Sequence, residues 1–127
     1  MRNRNVYIII LLVALIGVVI FQQIYTDNAM STFIAKSNEL SDTLMDDEKE
    51  LSLTQARELV EFWHSKEMLI SLFVDYRDIE QIGRQADYVL AYIESGDTQL
   101  AYVECSQLIH VSKTFHNIVK IDWHNIF

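Results

Sequence analysis

Proline is absent from this chain and glycine occurs only three times. With so few helix breakers, long helices are left uninterrupted. A single cysteine excludes an internal disulfide framework. Basic residues are also scarce: 10 Lys and Arg stand against 18 Asp and Glu, a formal charge of −8. So acidic a chain argues against nucleic acid or anionic lipid as partner. The catalytic signatures with fixed spacing are missing too, since no Gly-rich phosphate loop, Gly-x-Ser-x-Gly elbow or His-Glu-x-x-His occurs. No enzymatic activity is expected.

What is present in excess is apolar sequence near the N-terminus. Val6 to Phe21, VYIIILLVALIGVVIF, is an unbroken apolar run that Ile24 and Tyr25 extend past Gln22 and Gln23. Twenty helical positions span about 30 Å, the thickness of a bilayer's hydrocarbon core. Thirteen of the sixteen residues in the run are Leu, Ile, Val or Phe, which gives an upper estimate of about −4 to −8 kcal/mol for insertion. The alternative is a cleaved signal peptide, but Asn28-Ala29-Met30 makes a poor cleavage site and no lipid-accepting Cys follows. An uncleaved signal anchor is the expectation.

Charge then sets its direction. Arg2 and Arg4 precede the run with no acid among them, whereas eight Lys and Arg and all eighteen acids follow it, a balance of −10. The positive-inside rule predicts residues 1–5 as a cytoplasmic stub, 6–25 as the membrane span and 26–127 as an extracytoplasmic domain.

The fold class expected for that domain is all-α, an N-terminal transmembrane helix followed by a small antiparallel three- to four-helix bundle. Ile79, Ile82, Ala86, Val89 and Ile93 step at three and four residues, as do Ala101, Cys105, Leu108, Ser112, Phe115 and Val119. Between these stripes, ESGDT predicts a tight turn in which Gly96 takes a left-handed conformation and Asp97 caps the next helix. Upstream, Ser52 and Gln55 have capping-box spacing before a helix carrying Ala56, Leu59, Val60, Trp63, Ile70 and Phe73. Phe33, Ser37, Leu40 and Leu44 extend the membrane helix outward, and the acidic run 46–50 reads as a solvated turn rather than a calcium loop. About a hundred residues suffice for one small core without a second domain.

Candidate sites are few. Glu61 and His64 have the Glu-x-x-His spacing of a di-iron bundle, but that chemistry needs a second copy and two further inward glutamates, which the chain lacks. His110 and His116 are six apart and His124 lies in another segment, so no pair has the geometry of a helical zinc site. No metal and no cofactor is expected, and the histidines read as surface or boundary residues. Trp63 reads as a core anchor with His64 nearer the surface. Cys105, on an apolar stripe, reads as a buried thiol. In the tail, Ile118, Val119, Ile121, Trp123, Ile126 and Phe127 are too apolar to be left free, and Asp122 is placed to cap a final turn folding back on the bundle.

The helix EFWHSKEMLISLFVDYRDIEQI with its mid-helix Trp, the YIESGDTQLAYVE hairpin and the closing NIF resemble a bacterial membrane-anchored family, domain of unknown function 4363. Such proteins occur mostly in Gram-positive, often spore-forming bacteria. The resemblance spans nearly the whole chain and implies architecture and location without an activity. Family members often carry His at the position of Tyr76, so no ion or proton role there carries over.

Two functional classes follow. One is a non-enzymatic, membrane-tethered module that binds an envelope component or membrane protein. The other is a small-molecule sensor, which needs an apolar pocket with converging polar groups. Tyr88, Tyr92 and Tyr102 are candidates to line such a pocket, and with Trp123 and Phe127 they form the candidate ligand or interaction surface.

Overall fold

The computed structural model describes the backbone of residues 2–126 and the side chains of residues 3–120. Four helices fill it: α1 (Arg2–Met45), α2 (Lys49–Ser71), α3 (Tyr76–Glu94) and α4 (Thr98–Ile126), with no strand among the described residues. Each helix packs against its neighbour in sequence and α4 closes back on α1, an up-down-up-down bundle. Ile121, Asp122, Trp123, His124, Ile126 and Phe127 fall outside the described side chains. The backbone of α4 nevertheless continues helically to Ile126, so Asp122 is interior to a helix and does not open a separate final turn.

The expected stripes form the core. Phe33, Ser37, Leu40 and Leu44 of α1 are buried, as are the five stripe residues of α3 and the six of α4. Trp63 lies among them at 1% exposure, its ring centroid 4.8 Å from that of Phe33. Close helix approach is needed at this point. Gly83 of α3 faces the indole, and a Cβ there would stand 3.0 Å from Trp63 Nε1 and 3.2 Å from Cδ1. Gly96 takes φ +87°, and Asp97 Oδ1 accepts the Leu100 N–H at 3.1 Å, which makes the α3–α4 turn as expected.

Three local expectations are corrected. Ser52 does not cap α2: the helix starts at Lys49, the Ser52 N–H already donates to Glu48 O at 2.9 Å, and the Ser52 side chain is buried. Asp47, at φ +57°, makes the reversal one turn earlier, so helix begins inside the acidic run. Phe73, expected on the buried face of α2, is half-exposed. The segment EFWHSKEMLISLFVDYRDIEQI is also not one helix, because the chain reverses at residues 72–75 without Gly or Pro. Asp75 makes that break possible: its carboxylate accepts the Arg77 N–H at 3.0 Å and caps α3. Reversal there lets the α3 stripe pack back on Trp63, which a continuous helix would carry away from the core.

Burial along α1 changes abruptly. Residues 3–18 expose their side chains, and Thr26 is the first fully buried residue. By length and composition α1 can cross a membrane, and no part of its most apolar stretch is buried.

Candidate functional site

The residues singled out by spacing do not converge. Glu61 and His64 are both exposed on α2, and His64 turns to other carboxylates: Nδ1 lies 3.2 Å from Glu67 and Nε2 3.8 Å from Asp87 of α3. Among the described residues no three His, Cys, Asp or Glu side chains gather as a metal site. Cys105 is fully buried, its Sγ donating to Ser37 O of α1 at 3.4 Å. Loss of solvation pushes its thiol up to about 12. A group so protonated at neutral pH is no nucleophile.

His116 departs from the surface reading. It is buried on α4, and its Nε2 lies 2.7 Å from Asp27 Oδ1 of α1. Lys120 Nζ stands 3.7 Å from the same oxygen. This polar clasp ties α4 to α1 one residue beyond the first fully buried position of α1. Nothing in the local sequence signals it, since the partners are 89 residues apart.

The tyrosines differ in exposure. Tyr88 is half-exposed on α3, while Tyr92 and Tyr102 pack partly against the core. Tyr102 borders an open cleft with Leu44, Met45, Asp47 and Val103 at the end of the bundle farthest from the apolar run, and Tyr88 and Tyr92 do not line it. A more enclosed cavity, about 210 Å³, lies between α3 and α4. Asp78, Gln81, His110, Thr114, Phe115 and Ile118 are among its lining residues.

Charge and apolar exposure are unevenly distributed. Segments 39–50 and 94–97, which hold the α1–α2 and α3–α4 turns, carry eight acids and one base, Lys49. At the other end, Lys66 to Arg77 carries two of each. Lys66 Nζ lies 5.3 Å from the Tyr25 ring centroid and 5.5 Å from that of Phe62, so the cation rests on aromatic faces where the apolar run ends.

Residues 20–126 match the family described as Domain of unknown function (DUF4363). The chain belongs to this family. No curated protein and no solved structure matches it. The DUF4363 match begins inside the apolar run and takes in the C-terminal part of α1 with α2, α3 and α4, so it covers the bundle together with the end of the apolar run.

Proposed function

We propose that the chain is a membrane-tethered, non-enzymatic interaction module whose bundle lies outside the membrane and binds an envelope component or membrane protein. The continuity of α1 carries this reading: one helix supplies the exposed apolar stretch and, from Thr26 onward, a quarter of the bundle's core. A bundle built on its own anchor is held upright and close to the membrane, which suits contact with another membrane-bound protein better than capture of a distant soluble one. Arg2 and Arg4 before the span and the acidic excess after it support a cytoplasmic N-terminus.

A small-molecule sensor is the second reading, and the cavity beside His110 is the observation that favours it. Its 210 Å³ falls below the roughly 300 to 1,000 Å³ of ordinary ligand pockets. Partner binding is therefore preferred.

Crosslinking in intact membranes followed by mild extraction of the full chain tests the proposal. A specific membrane or envelope protein should co-purify, and Tyr88→Glu, on an exposed site that leaves the core intact, should weaken its recovery if the α3 face is used. Recovery of the chain alone, or of a soluble cytoplasmic protein, would contradict it.

A further inference from the structure

The turn between α2 and α3 exposes large apolar side chains in a density found nowhere else on the bundle's described surface. Met68, Leu69, Leu72, Phe73 and Tyr76 lie within nine residues, with Met68 74%, Leu72 66% and Tyr76 64% exposed. An apolar cluster of this kind marks a contact surface rather than ordinary scattered exposure.

Its position along α1 identifies the occupant. Trp63 of α2 packs on Phe33 of the antiparallel α1. Leu72 lies nine residues beyond Trp63, and nine residues back from Phe33 is Ile24. The pair Gln55 and Glu39, joined at 3.3 Å, gives nearly the same register and brings Leu72 level with Gln22. The turn therefore stands beside the last residues of the apolar run, where Ile20, Phe21 and Ile24 are also exposed. Lys66, resting on Tyr25, and Arg77 flank the cluster as interfacial cations do.

We propose that the α2–α3 turn is a second membrane contact, in which Leu72, Phe73 and their neighbours enter the lipid interface beside α1. The proposal rests on the anchor reading of α1. The acidity that argues against an anionic-lipid partner for the whole chain is concentrated at the opposite end, while the segment from Lys66 to Arg77 has no net charge. Two contacts, one through α1 and one through the turn, fix the bundle's tilt and its rotation about the anchor, and so fix which helix face a neighbour in the membrane meets.

Depth-dependent quenching tests this with the full chain in vesicles of phosphatidylcholine and phosphatidylglycerol containing nitroxide-labelled lipid. Leu72→Cys, Asp46→Cys and Val13→Cys are each labelled with an environment-sensitive fluorophore. All three sites are exposed, so the fold tolerates them, and native Cys105 is buried and stays unlabelled. The expected result is loss of most of the fluorescence at Val13 and Leu72 and none at Asp46. Quenching at Val13 with Leu72 behaving like Asp46 would overturn the proposal and leave the anchor reading standing. A water-shielded but unquenched Leu72 whose signal reverses on dilution would assign the turn to a second copy of the chain and overturn it as well. Absence of quenching at Val13 would remove the anchor and the proposal together.

Discussion

Substituting Gly83 with Ala should have different effects in two backgrounds. In an exposed helix interior the change is favourable by about 1 kcal/mol, because Ala loses less backbone entropy than Gly. Here the new methyl would sit 3.0 Å from Trp63 Nε1 and 3.2 Å from Cδ1. The indole has little room to retreat, being 1% exposed with its ring centroid 4.8 Å from that of Phe33. Overpacking of a filled core costs about 1 to 3 kcal/mol. The clash should therefore offset or exceed the helix gain, leaving Gly83→Ala neutral to about 2 kcal/mol destabilising. Removing the indole reverses the balance. Trp63→Ala should itself cost about 3 to 5 kcal/mol, within the usual stability of about 5 to 15 kcal/mol for a domain. Adding Gly83→Ala to that variant should then restore about 1 kcal/mol, since the methyl enters the space the ring vacated. Denaturant titration of the four proteins in the same detergent measures the coupling as a double-mutant cycle. His64→Ala, one residue along but on the exposed side of α2, is the control and should change stability by less than about 0.5 kcal/mol. Stabilisation by Gly83→Ala in both backgrounds would refute the close approach of α2 and α3.

Acid titration should single out Asp75. Its carboxyl is held below its ordinary value first by the Arg77 backbone N–H and then by the Arg77 side chain. A carboxyl with a lowered folded pKa contributes stability above its unfolded value, and the contribution is lost as pH falls through the folded one. Asp75→Asn keeps a capping oxygen but not the charge, so melting curves should show a smaller acid-induced loss below about pH 4 than in the native chain. An unchanged acid slope would contradict the capping role. For Cys105, maleimide at neutral pH should leave the folded chain unmodified and label it fully once denatured, whereas modification at the rate of a free thiol would place the side chain outside the core.

Much of this fold was legible because helical burial repeats at short, fixed intervals. The stripes of α3 and α4 name their buried residues one by one, and Gly96 with Asp97 marks a turn that the backbone makes for the expected reasons. The α2–α3 reversal was less legible, since no Gly or Pro announces it and the apolar pattern runs through Leu72 and Phe73 into the turn. Its signal was Asp75, a capping residue placed just before the Ile79 stripe. Ser52 misled because a serine with Gln three residues later has the same spacing inside a helix as at its start. Pairings between helices lay beyond local pattern. His116 with Asp27, and Gly83 against Trp63, depend on the register of antiparallel neighbours, which stripes constrain only to within a turn.

The proposed function puts α1 in the membrane and the bundle on its outer side. Reporter fusions after Phe127 of the full chain test it most directly, using one enzyme active only outside the cytoplasm and one active only within it. Activity from the first and silence from the second are expected, with the contrast weakened when Arg2 and Arg4 are both replaced by Glu. Activity of the cytoplasmic reporter and silence of the other, in the native sequence, would contradict it.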